Sequence, residues 1–256
     1  MTNTSLHKTV VVIPVYDHEH AIGAVVQAVL RQGLPCILVD DGSSVSCARV
    51  LQDIAAAHAD RVTLLVHAVN QGKGGAVMTG MRHAAAAGYS HAFQIDADGQ
   101  HDCDDIGRFV DASQETPGAV INGKPIYDES VPKGRLYARY LTHVWVWINT
   151  LSLDISDSMC GFRLYPLAPT VQLMSSAHIG RRMDFDTEIL VRLYWRGLQV
   201  RNLPTRVRYP TDGVSHFRVW LDNALISRMH ARLFAGMLVR APLLLARRLR
   251  RLAGAA

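Results

Sequence analysis

The chain has 256 residues, 49% hydrophobic and 19% charged, which suits one large α/β domain or one domain plus an appendage. Its 27 basic and 22 acidic residues leave a formal charge of +5, too mild to imply a nucleic-acid partner. Its 4 cysteines include no CxxC pair, which argues against a zinc ribbon or a disulfide framework and fits a reducing compartment.

The N-terminal stretch MTNTSLHKTVVVIPVY has one lysine and an apolar run too short for a signal-peptide core, and Asp17 and Glu19 soon follow. It reads as a first strand rather than a targeting segment, so a cytoplasmic protein is expected. β-branched apolar runs predict strands at Thr9–Pro14, Cys36–Val39, Val62–Val66, His91–Ile95 and Ala119–Asn122. Apolar residues at helical spacing predict helices at Ala21–Gln32, Ser46–Ala59, Gly75–Ala87 and Asp104–Ser113. This alternation implies an α/β fold with a mostly parallel central sheet and helices on both faces. Ligands on such sheets sit beyond the carboxyl ends of the strands, where the polar clusters fall. These are Tyr16–Asp17, Asp40–Ser43, Asn70–Gly75 and Asp96–His101.

Beyond Gly123 the pattern changes. Lys124–Arg135 reads as a polar loop with two prolines, Arg135–Leu151 as an aromatic-rich helix, and Ser156–Pro166 as a second polar cluster. A helix around Asp184–Arg196 precedes an extended run at Leu198–Tyr209. From about Phe217 the chain reads as helix broken near Pro242. The apolar run Leu233–Ala246 is interrupted by Arg240 and falls short of the roughly 20 residues a spanning helix needs. Beside Arg247, Arg248, Arg250 and Arg251 it reads as a basic amphipathic tail lying in a lipid interface, the alternative being a helix packed on the domain. The expected division is a main domain at residues 1–212 and a tail at 213–256.

In FQIDADGQH (Phe93–His101), Asp96 and Asp98 stand at i and i+2 where a strand ends. Both carboxylates can approach one cation, and oxygen ligands suit Mg²⁺ or Mn²⁺. Gln100 can add a carbonyl oxygen, and His101 could assist. By itself such a pair is a common turn motif. NQGKGGA (Asn70–Ala76) fails both the P-loop and the dinucleotide pattern. It remains a glycine-rich turn opening a helix, where free N–H groups and Lys73 suit an anion.

Taken together, VVIPVYDHEHAI (Val11–Ile22), LVDDGSS (Leu38–Ser44), NQGKGGAV (Asn70–Val77), QIDADGQH (Gln94–His101), DSMCGFRLY (Asp157–Tyr165) and DFDTEI (Asp184–Ile189) resemble family 2 glycosyltransferases of the GT-A, Rossmann-like fold. The likeness is to the dolichyl- or polyprenyl-phosphate sugar synthases, and it covers residues 9 to about 215. Asp17 stands where the family usually has Asn, and Gly99 where Leu is frequent. The resemblance implies a nucleotide pocket at Pro14, Tyr16, Glu19, Asp40, Asp41, Asn70, Lys73 and Asp96. It implies Asp96, Asp98 and Gln100 at the metal and diphosphate, and Asp157 and Arg163 on the acceptor side with Glu188 nearby.

The implied activity is inverting, metal-dependent transfer of a sugar from a UDP- or GDP-linked donor to a lipid or lipid-phosphate acceptor at a membrane surface. An alcohol acceptor would need a carboxylate base with a raised pKa, with Asp157 the first choice, then Glu188 and Asp186. A phosphate acceptor would instead want cations, with Arg135, Arg139, Arg163 and Arg208 as candidates and Ser215, His216 and Arg218 in the loop that follows. Alternatives are a haloacid-dehalogenase-like phosphatase using D-x-D-G, a sugar-nucleotide pyrophosphorylase, and a non-catalytic, membrane-docked nucleotide-sugar binder.

Overall fold

The first half of the chain alternates as its apolar periodicity requires: β1 (Thr9–Val15), α1 (Glu19–Arg31), β2 (Cys36–Asp40), α2 (Val45–Ala57), β3 (Val62–Val66), α3 (Lys73–Ala86), β4 (His91–Gln94), a 3-10 turn at Cys103–Asp105 and α4 (Ile106–Glu115). The second half contains β5 (Val120–Tyr127), α5 (Lys133–Thr150), β6 (Arg163–Pro166), α6 (Leu167–Ser176), α7 (Phe185–Trp195), β7 (Val200–Val207) and α8 (Val219–Ala253). This computed structural model describes residues 7–127, 133–207 and 217–253, without the side chains of residues 127, 133–138 and 251–252.

The strands form one sheet in the order β3-β2-β1-β4-β6-β5-β7. β3, β2, β1 and β4 run parallel, β7 runs parallel to β5, and β6 is antiparallel to both its neighbours. Every residue of β1 is buried because both faces of the sheet are covered. Alternate side chains feed two cores. Val10 and Val12 pack with residues of α3, α6, α7 and α8, and Val11, Ile13 and Val15 with residues of α1, α2 and α4.

The antiparallel strand decides what lies under the site. Its register sets Arg163 opposite both Gln94 of β4 and Asn122 of β5, and Asn122 opposite Asn202 of β7. Four polar side chains therefore cross the sheet in one row. Arg163 Nε donates to Asn122 Oδ1 at 2.7 Å, and Asn122 Nδ2 donates to Asn202 Oδ1 at 3.0 Å.

Four expectations need correction. Lys124–Arg135 is not all loop, because β5 continues to Tyr127 in register with β7 as far as Val207, and α5 begins at Lys133. Part of the second polar cluster is strand β6, whose apolar run was too short to reveal a strand. α6 was also missed, and it follows directly from β6 at Leu167. Finally, α8 does not break at Pro242. Tertiary packing carries it through, since Met229, Leu233, Met237 and Leu244 form a buried stripe on the domain. Within the continuous segment Val219–Arg250 an 18-residue stretch reaches a mean hydropathy of 1.3, so by length and composition alone the helix could cross a bilayer.

Arg240, Arg247 and Arg248 serve docking as well as charge. Arg240 lies over the Trp195 ring at 4.8 Å, Arg247 Nη1 donates to Trp195 O at 2.7 Å, and Arg248 Nη1 to Leu151 O at 3.1 Å. The remaining surface of α8 keeps Trp220, 91% exposed, and Leu238, Val239 and Leu249 outside. Pro242 is exposed in the helix interior, where proline costs about 3 kcal/mol relative to alanine. Pro242→Ala is therefore expected to raise the melting temperature, measured by circular dichroism.

Candidate active site

The carboxyl ends of β1, β2, β3 and β4 open on one side of the sheet, and the polar clusters gather there. Pro14 is buried in β1 opposite Val39, Tyr16 and Glu19 are half-buried just beyond it, and Asn70 is exposed. Asp40 is buried, and its Oδ1 accepts from Ser43 N at 2.9 Å.

Asp41 is more constrained. Its Oδ1 accepts from Gln71 N and its Oδ2 from Gly72 N, each at 2.8 Å, and its Oδ1 lies 2.8 Å from His67 Nδ1. Contrary to the sequence expectation, the glycine-rich turn thus does not keep all its N–H groups for an outside anion. Asp41 supplies an anion from within, and Gly75 N goes to Arg181 O at 2.9 Å. Gly72 has φ +89, and a Cβ there would meet Arg181 O at 2.5 Å.

Lys73, the first residue of α3, reaches across the site. Its Nζ lies 2.8 Å from Asp96 Oδ1, 2.9 Å from Asp96 Oδ2 and 2.8 Å from Asp186 Oδ2. Burial alone would lower the ammonium pKa, but Asp186 and Asp96 outweigh it and hold Lys73 above its ordinary value. For Asp96, burial pulls upward, while Lys73 and His101 prevail and hold the carboxyl below its usual range. Asp98 goes the other way, raised by burial and by the Asp96 charge. Among the described residues Asp98 forms no ion pair, and its Oδ1 accepts only Gln100 N, at 3.0 Å. Two crowded carboxylates, one of them without a cation, fit a hard divalent ion. Gly161 packs against Asp96 so closely that a Cβ there would collide with the carboxylate. Among the described residues, the group of three possible metal ligands of the His, Cys, Asp and Glu types lies elsewhere, at Asp17, Glu19 and Cys47.

Asp186 Oδ1 accepts from Gln94 Nε2 at 2.7 Å, tying the Lys73 link to the polar row in the sheet. Arg163 is 0% exposed. Besides Asn122, its guanidinium donates to Asp186 O at 2.7 Å and to Tyr165 Oη, Ser158 O and Cys160 O at 3.1 Å. It underlies the site rather than lining it.

Asp157 lies at the start of the loop that ends with Gly161. Its carboxylate receives Arg139 Nε and Nη2 at 2.5 and 2.7 Å, and Met159 N and Cys160 N at 2.9 Å. His143 Nε2 is 3.4 Å away. Burial would raise this carboxyl, yet the His143 hydrogen bond and Arg139 hold it well below the usual range. The raised pKa expected of a base is absent here. Glu188, 0% exposed, accepts from Gly180 N, Arg192 and Arg232. Arg218 is exposed, with its backbone N donating to Asp222. Arg208, Ser215 and His216 lie outside the described residues, as does the Arg135 side chain. Sequence reading missed His143 and Asp222, since lone residues on helices carry no motif.

A model for glycosyl transferase family 2 matches residues 10–168. The chain is 26% identical to polyprenol monophosphomannose synthase of Mycolicibacterium smegmatis over 222 residues, 81% of this chain and 80% of that protein. It is 24% identical to the UDP-N-acetylglucosamine–dolichyl-phosphate N-acetylglucosaminyltransferase of Methanococcus voltae, covering 77% and 84% of the two chains. Among solved structures, glucosyl-3-phosphoglycerate synthase of Mycobacterium tuberculosis, in complex with Mn²⁺ and UDP-glucose, superposes with a TM-score of 0.64. It covers 92% of this chain and 79% of that one at 17% identity, a likeness of fold.

Asp157 also makes a pH prediction. Its folded pKa is lowered, so its contribution to stability is present above the ordinary carboxylate value of about 3.9 and is lost as pH falls through the folded value. Arg139→Met removes a cation that holds it down, so the acid-unfolding midpoint followed by circular dichroism should move to higher pH.

Proposed function

The chain belongs to glycosyl transferase family 2 and is a glycosyltransferase, and on that premise we propose that it moves a sugar from a nucleotide-diphosphate donor to a lipid phosphate, with inversion and with a divalent cation. The observation that carries the acceptor class is the state of the expected bases. Asp157 is clamped by Arg139 and held at low pKa, Asp186 is tied to Lys73 and Gln94, and Glu188 is buried beneath two arginines. None suits the deprotonation of an alcohol, whereas a phosphate monoester arrives ionised and needs no base. The name of the Methanococcus voltae relative, which pairs a UDP-sugar with dolichyl phosphate, supports the same reading.

On the donor side, Pro14, Tyr16, Glu19, Asp40 and Asn70 border the nucleotide, and Asp41 shapes the turn beside it. Asp96 and Asp98 would hold Mg²⁺ or Mn²⁺, with Gln100 adjacent, and such an ion supplies charge to stabilise the departing diphosphate. Lys73 adds a fixed positive charge at the same place. Arg163 and Gln94 keep Asp186 and the Asp157–Gly161 loop aligned with it. On the acceptor side, Arg139 with His143, joined by Arg135, Arg208, Ser215, His216 and Arg218, would receive the phosphate.

The exposed apolar side chains of α8 beside its arginines fit a cytoplasmic enzyme seated on the membrane surface that carries its acceptor. Trp220→Ser combined with Val239→Ser, at exposed positions of α8, is expected to shift the protein from the membrane to the soluble fraction, and unchanged partitioning would defeat this seating.

The test of the chemistry is release of UDP or GDP from a panel of nucleotide sugars with Mn²⁺ and a polyprenyl phosphate. Asp98→Asn and chelation should each cut turnover at least about a hundredfold, since a metal takes several kcal/mol off the barrier. Donor binding without turnover would leave only a nucleotide-sugar binder, and full activity after chelation would remove the metal from the scheme.

A further inference from the structure

The loop between α6 and α7, residues 177–184, is a template for the turn that carries Lys73. Arg181 O accepts Gly75 N at 2.9 Å. Arg181 O and Arg182 Cγ lie where a Cβ on Gly72 would fall, and Gly180 O and Phe185 crowd Gly74 in the same way. Lys73 sits between these glycines, so the position of its ammonium against Asp96 and Asp186 follows the backbone of this loop.

Two buried carboxylates hold the loop, and both reach α8. Glu188 Oε2 accepts Gly180 N at 2.8 Å and Arg232 Nη2 of α8 at 2.9 Å, while its Oε1 takes Arg192 Nη2 at 2.8 Å. Asp222, on the first turn of α8 and 0% exposed, accepts Arg218 N at 2.7 Å and Arg182 Nε at 3.4 Å. A buried charge persists only where its partners are fixed, so these links define where the loop lies. Each joins the loop to a different turn of α8.

We infer that α8 is a working part of the donor site: Arg232 and Asp222 are positioning residues that act through the 177–184 loop on the Gly72–Gly75 turn and set Lys73 for the diphosphate. The inference rests on the proposed donor role of Lys73, but the placement of the turn can be measured without any nucleotide. The path is one of contiguous polar and packed contacts, and coupling of this kind typically changes affinity severalfold or more. Nothing in the residue pattern signals it, because Asp222 and Arg232 lie in a segment that reads as a tail.

The test uses the full chain with Arg232→Met, which leaves Glu188 paired to Arg192, and Asp222→Asn, which keeps the side-chain shape. Arg232→Lys is the conservative rescue, and Arg228→Met on the exposed side of α8 is the control. Amide hydrogen exchange is read on a peptide spanning residues 71–77, with β2 as reporter of global stability, and Mn²⁺-dependent binding of UDP and of GDP is measured by titration calorimetry. In Arg232→Met and Asp222→Asn, exchange at 71–77 should quicken while β2 is unchanged, and the dissociation constant of whichever nucleotide binds should rise about tenfold. Arg232→Lys should restore part of both effects, and the control should match the wild type. Wild-type exchange at 71–77 in both variants overturns the inference, as does faster exchange that is equal across the whole chain. Quickened exchange at 71–77 in a protein whose wild type binds neither nucleotide upholds the positioning role and overturns the donor reading.

Discussion

A half-buried lysine between two carboxylates organises this molecule. Lys73 opens α3, Asp96 lies two residues beyond β4, and Asp186 sits in the first turn of α7, three places far apart in the chain. An ammonium with little water around it has to be matched by anions, and two carboxylates so close to it need that cation in return. The three elements can therefore meet in few other ways. Gln94 extends the constraint into the sheet by donating to Asp186, and Gly161 extends it to the second polar loop by packing on Asp96.

Below this link the row Gln94, Arg163, Asn122 and Asn202 shows how the fold supports a polar site from inside. A guanidinium with no exposed surface is tolerable because its donors meet carbonyls, an amide and a phenol in fixed positions. Its partners Ser158 O and Cys160 O belong to the loop that also carries Asp157. Arg163 thereby connects Asp186 to the loop that carries Asp157. The low pKa of Asp157 likewise follows from its fixed partners, since burial alone would have raised it.

The C-terminal helix belongs to the domain and to its surroundings at once. One stripe is buried on the core and several of its arginines grip Trp195, the carbonyls of Trp195 and Leu151, or Glu188. The opposite side keeps large apolar residues in the open, a combination more common at interfaces than on free surfaces.

Much of the first half was legible in the sequence because its signals are local. β-branched runs mark β1 to β4, helical spacing marks the helices between them, and the motif clusters lie at strand ends where parallel sheets place ligands. The order of motifs also identified the family and the fold. Tertiary structure alone decided the rest. β6 is only 4 residues long and offers no period to detect, yet its antiparallel register aligns Gln94, Arg163 and Asn122. Arg163 was read as a cation for a ligand, and burial made it a support for the site. Asp41 was placed in the nucleotide pocket, and folding set it against the amides of a turn 30 residues away. The helix break that local propensity places at Pro242 also gave way, because packing of both helix halves on one core outweighed a missing hydrogen bond. The sequence by itself determined which elements form and which chemical groups are present. Which of those groups meet a ligand and which hold the frame depends on burial and long-range pairing, and neither is written in the spacing of residues along the chain.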